Sequence, residues 1–139
     1  MIDDNTGPLL TEIGRLLATG NENPAAPCLL VAEVGDNYVA PSIFENLGAS
    51  LNWRSYTGQD LTYALLDLWE AAPQGRRWLW IEYLLKDGSF NATFVYPEEI
   101  SPDEEPFSRD RATAERHFPG IPIVYPPMPT VGGTDTTEI

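Results

Sequence analysis

Apolar positions at Leu9, Leu10, Ile13, Leu16 and Leu17 fall on one face of a 3.6-residue period and predict a first helix over 8–18. Pro8 suits its first turn and Gly20 its end, and GNENPAAP (20–27) carries the residues of a loop. CLLVAEV (28–34) is a short apolar run closed by Gly35-Asp36-Asn37, the pattern of a strand and its turn. YVAPSIF (38–44) is β-like, but Pro41 makes it an edge or bulged strand. LGASLNWRSY (47–56) continues as a third, weaker strand.

A second helix is marked by Thr57-Gly-Gln-Asp60, a capping-box pattern with Thr57 as N-cap. Leu61, Ala64, Leu65, Leu68 and Trp69 follow at helical spacing, and Pro73 stops it. A hairpin comes next: RRWLWIEYLL (76–85), the turn Lys86-Asp87-Gly88-Ser89, and FNATFVYP (90–97). Asp-Gly supplies the positive φ of a tight turn. Phe90, Ala92, Phe94 and Tyr96 share one face, with Asn91 and Thr93 on the other, so one side of the sheet is expected to be wet and available for binding. Trp78 and Trp80, two residues apart, are expected together on one strand face and, with Trp69, in the core. EEISPDEE (98–105) has the composition of a solvated loop. A short helix is expected from Arg109 to His117, with Ser108 as N-cap and Phe118-Pro-Gly120 as its stop.

The order helix, two or three strands, helix, hairpin, helix joins strands through hairpins rather than βαβ crossovers. It predicts an α+β fold: a single domain over 1–125 with a mainly antiparallel sheet, two long helices and a short C-terminal helix. Residues 126–139, rich in Pro, Gly and Thr, read as a tail, and no internal repeat is visible.

Composition changes the picture through charge. In 139 residues there are 21 Asp and Glu against eight Lys and Arg, a net charge of −13 and a pI near 4.2. Such a surface repels nucleic acid and anionic membranes and attracts basic partners. No apolar run approaches the roughly 18 residues of a membrane span. The acidic MIDDNTG start is unlike a signal peptide and Cys28 is the only cysteine, so the expected compartment is the cytoplasm.

Candidate chemistry is sparse. Cys28 and His117 are the only thiol and imidazole. Cys28 sits in an apolar run and His117 at a helix end, where an imidazole commonly caps carbonyls. There is no G-x-S-x-G motif, VGGT (131–134) lacks the lysine of a phosphate loop, and one His with one Cys is too few for a zinc site. PDEEPF (102–107) lacks calcium-loop spacing, and Asn91-Ala92-Thr93, a glycosylation pattern, lies within a strand. No catalytic group, metal or cofactor is expected. Trp53, beside Arg54 and Tyr56, is the aromatic best placed to anchor a partner.

The second half resembles the YezG-like family of bacterial immunity proteins. In that family a helix precedes a hairpin of the form W-x-x-hydrophobic … D-G-x-F-x-x-x-F-x-Y, followed by an acidic segment and a short Arg-containing helix ending near an aromatic. Matching positions are Trp78 or Trp80, Asp87, Gly88, Phe90, Phe94, Tyr96, Glu98, Glu99, Arg111, Arg116 and Phe118, over about residues 60–125. The proline-rich first strands depart from the pattern, as does Val124-Tyr125 where a Trp follows in some members.

The resemblance implies an antitoxin that binds a cognate polymorphic toxin domain and occludes its active site without chemistry of its own. The implied toxin is a nucleic-acid-targeting enzyme, a nuclease or deaminase with a basic cleft. Charge and exposure then nominate Trp53, Tyr56, Asp87, Glu98, Glu99, Asp103, Glu104 and Glu105 as toxin-binding residues. The alternatives are an acidic chaperone or adaptor for a secreted effector and, further off, a carboxylate-dependent hydrolase.

Overall fold

The computed structural model describes residues 6–21, 23, 25–54, 59–100 and 106–125. Ten elements follow in order: α1 (Thr6–Gly20), β1 (Cys28–Gly35), β2 (Tyr38–Asn46), β3 (Leu51–Arg54), α2 (Asp60–Ala71), β4 (Trp80–Lys86), β5 (Ser89–Val95), the 3-10 turn η1 (Pro97–Glu99), α3 (Pro106–His117) and β6 (Ile123–Val124). One sheet takes all six strands in the order β5-β4-β1-β2-β3-β6, antiparallel except for the β3–β6 pair. This is the expected α+β domain. The tail at 126–139 lies outside the described residues.

The turns set the register. Asp87 (φ 54) and Gly88 (φ 76) both adopt positive φ, as a type I′ loop requires, and Lys86 pairs with Ser89 across it. The β1–β2 hairpin turns at Asp36-Asn37, with Asn37 at φ 61. Counting from the Gly35–Tyr38 pair, Pro41 opposite Ala32 falls on a non-hydrogen-bonded position of β1–β2. Its missing N–H would point outward, to the β3 side, where the described pairing covers only Ile43–Asn46.

Helices α1 and α2 pack on one face of the sheet. Ile13, Leu16 and Leu17 of α1 and Leu61, Ala64, Leu65 and Leu68 of α2 meet Leu30, Ile43, Ile81 and Tyr83 in the main core. Phe90 stacks on Tyr83 with ring centroids 5.3 Å apart, and Phe94 meets Trp78 at 5.2 Å, so the predicted aromatic face of β5 is the inward one.

The opposite face is not generally wet. Helix α3 covers its centre, over a second core of Leu29, Val31, Phe44, Leu51, Trp80, Ala114 and Phe118. It stays exposed at its β5 margin, with Asn91 and Thr93, and at the start of β2, with Tyr38 and Ala40. The cover was hidden because the side chains α3 turns to the sheet are mainly polar. Glu82, 5 % exposed on β4, accepts two hydrogen bonds from Arg116 (3.1 and 2.9 Å), with Arg109 at 3.9 Å and His117 Nε2 at 3.6 Å. Ion pairing takes the place of an apolar stripe.

Several local expectations are corrected. The described part of α2 starts at Asp60 with Gln59 as N-cap and no side-chain cap, so Asp60 is the first helical residue rather than the third of a capping box. Thr57 lies outside the described residues. Helix α3 opens at Pro106, which places Ser108 inside it rather than at its cap, and its 12 residues equal α2 in length. Strand β3 starts at Leu51 rather than Leu47 and is described to Arg54, residues 55 and 56 lying outside the described residues. Before it, Gly48 at φ 92 turns the chain, donating its N–H to Asn46 Oδ1 at 2.9 Å. Trp78 and Trp80 lie on opposite faces: Leu79 and Trp80 both join the α3-side core, so alternation breaks before β4 begins.

Candidate functional site

Beside α3, the sheet face is left open above β1, β2 and β3. The gap is a cleft of about 970 Å³. Its floor is Ala40, Ser42 and Phe44 of β2, and its walls include Trp53 of β3, Trp80 of β4, Tyr38 and Tyr125. Trp53 and Tyr125 meet at 5.8 Å with their rings tilted by 44°. Strand alternation explains the convergence: residues 33, 38, 40, 42, 44, 53 and 80 all project toward the α3 side.

Among the described residues, the charges in the cleft are three carboxylates, Glu33, Asp110 and Glu115, against one cation, Arg111. Asp110 Oδ2 accepts a hydrogen bond from Ser42 Oγ at 2.5 Å, and its Oδ1 is buried without a hydrogen-bond partner among the described residues. Burial holds the Asp110 carboxyl above its ordinary range. The Ser42 bond works against that and the nearby Glu33 charge adds to it. At the mouth, Tyr38 hydrogen-bonds Glu33. Its phenol is pushed up to about 12, by burial first and then by that neighbour. Arg111 is held more firmly charged by its hydrogen bond to the Tyr125 hydroxyl.

No known family model matches the chain, and no curated protein is significantly similar to it. The resemblance to YezG-like proteins therefore stands on the residues quoted above alone.

The nominated residues are scattered. Trp53 is in the cleft, half-buried. Asp87 tips the β4–β5 hairpin and borders a separate hollow beside α1 with Lys86 and Phe90. Glu98 and Glu99 lie beyond the other end of that hairpin, about 20–25 Å of strand away. They are not in a loop but in the 3-10 turn η1. Glu98 is ion-paired with Arg76, which lies 4.0 Å over the Tyr96 ring. Glu99 accepts the Tyr96 N–H at 2.8 Å and so caps its own turn. Tyr56, Asp103, Glu104 and Glu105 lie outside the described residues.

Glu33, Ser42, Asp110 and Tyr125 come from four distant segments, and no spacing in the sequence announces them. Cys28 is fully buried, and desolvation pushes its thiol up to about 11, as suits an inert core residue. It lies on the α1–α2 side, while His117 faces Glu82 on the α3 side rather than capping helix carbonyls, so the sheet separates the two. Among the described residues no three His, Cys, Asp or Glu side chains are grouped to hold a metal, and no helix is long and apolar enough to cross a membrane.

Proposed function

We propose that this protein is an immunity protein: it binds a cognate toxin domain and occludes its active site, acting stoichiometrically and without chemistry of its own. The single observation that carries the reading is the charge of −13, taken with the resemblance of residues 60–125 to YezG-like proteins. A toxin that acts on nucleic acid needs a basic cleft, and an acidic inhibitor is steered to such a cleft and competes with its substrate. The aromatic, net-acidic cleft beside α3 supports the reading, because aromatic anchors supply the slow-dissociating part of an interface while charge supplies its speed.

The test is co-expression with the effector domain encoded by the adjacent gene. Protection of the cells, together with a one-to-one complex on size exclusion at micromolar concentration, is the expected result. Loss of viability and no complex would sink the proposal.

One observation favours a second reading, a carboxylate-dependent hydrolase: Asp110, raised by burial, shares a cleft with Glu33. Dose separates the two. A binder fails once the toxin exceeds it in moles, whereas a catalyst would protect at substoichiometric levels.

A further inference from the structure

The geometry points to the cleft beside α3 as a receptor for an arginine side chain presented by a protein partner, with Trp53 and Tyr125 as stacking surfaces and Glu33 and Asp110 as counter-charges. This deepens the proposed function by assigning the contact surface and the chemistry it reads.

The sign of the ligand follows from the side chains. Among the described residues, three carboxylates against Arg111 leave the cleft lining net negative by two, so an anion is repelled. A neutral apolar group would cover Glu33 and remove its water without replacing those hydrogen bonds, and would leave Asp110 Oδ1 unpartnered. A cation meets both requirements. Asp110 is already short of partners, since only its Oδ2 is engaged, by Ser42. All four large walls, Trp53, Trp80, Tyr38 and Tyr125, are aromatic, and the face of such a ring attracts a cation.

The choice of guanidinium over ammonium rests on shape. A flat guanidinium stacks on an indole or phenol ring while its edge donates to carboxylates, whereas a lysine ammonium is a strongly hydrated point charge. The protein makes the same contact internally three times: Arg76 lies 4.0 Å from the Tyr96 centroid, Arg77 4.5 Å from Trp69 and Arg109 5.7 Å from Trp80. An open cleft with an exposed mouth, rather than a sealed cavity, suits a side chain that arrives attached to a folded partner.

The probe is the capped tripeptide acetyl-Gly-Arg-Gly-amide, with its citrulline counterpart as the neutral isostere, followed by NMR of the tryptophan indole N–H resonances. The arginine peptide is expected to shift the Trp53 resonance with a Kd on the order of 1 mM, and the citrulline peptide to bind at least about tenfold more weakly. Asp110→Asn and Glu33→Gln should each weaken arginine binding by about fivefold or more. Their melting temperatures report whether each variant is folded. Equal binding of the two peptides would overturn the assignment, as would no shift at about ten times the expected Kd or undiminished affinity in both folded variants.

The peptide titration involves no toxin, so its failure and that of the immunity reading are distinct. Arginine binding without protection of cells removes the immunity reading alone. Protection that persists when the cleft neither binds the peptide nor responds to Asp110→Asn removes the cleft from the interface alone.

Discussion

At Gly14, on the face of α1 that meets β4, a side chain would collide. A Cβ there would stand 2.6 Å from the hydroxyl of Tyr83, which is fully buried and donates to Leu10 O at 2.5 Å. Gly14→Ala gains helix propensity but must displace that hydroxyl, so a net loss of about 1–2 kcal/mol is expected in urea unfolding. In a Tyr83→Phe background the nearest remaining atoms are at 3.4 and 3.7 Å, and the same substitution should become neutral or stabilising. A loss of equal size in both backgrounds would show that another contact is responsible. Asp110 is the second informative residue. Its folded carboxyl titrates above its unfolded value, so its contribution is fully favourable below the ordinary Asp range near 3.8 and is lost as pH rises through the raised value. At pH 7 the charge therefore weakens the fold. Asp110→Asn should raise the melting temperature by about 1–3 °C at pH 7, with the gain vanishing below pH 4. A variant that gains stability while losing arginine binding would identify a charge retained for recognition rather than for folding.

Among the elements, α1 and α2 were legible because hydrophobic burial alone holds them: every apolar position on the predicted face of α2 is buried or packed against the core. The hairpin was legible because Asp87-Gly88 and the alternation after it are local signals. The sequence predicts α3 too short, since a helix docked by ion pairs carries no apolar period. Its anchor is Glu82, and Glu82→Gln should cost roughly 1–3 kcal/mol, because Arg116, Arg109 and His117 would then surround a neutral amide. A urea titration followed by Trp80 fluorescence, beside Arg109 of α3, measures the loss. Unfolding unchanged from the parent chain would show that α3 is held by Ala114 and Phe118 instead.

Over the whole molecule the charge of −13 acts at a distance. If it steers association, k_on for the toxin domain should fall by about tenfold or more as salt rises from 50 to 500 mM, with a smaller change in k_off. Stopped-flow association at several ionic strengths measures both. Reversing Glu98, Glu99, Asp103, Glu104 and Glu105 together should slow association, and an unchanged rate would place that segment outside the interface. For Glu98, already paired with Arg76, and Glu99, which caps its own turn, the effect would come through the long-range field.

The sequence by itself determined the α+β class, the two core-forming helices, the Asp-Gly hairpin and the overall negative field. These follow from periodicity, turn stereochemistry and charge count, which are local or additive. Tertiary structure alone decided which face stays open and what lines it. Glu33, Ser42, Trp53, Asp110 and Tyr125 meet only after six strands are ordered and α3 is docked, and contacts between residues so far apart leave no spacing to read. Of the residues nominated for exposure and charge that the structure describes, only Trp53 reached that cleft. A carboxylate's role depends on what desolvates and faces it, and Asp110 is desolvated by burial and faced by Ser42 of β2 and Glu33 of β1.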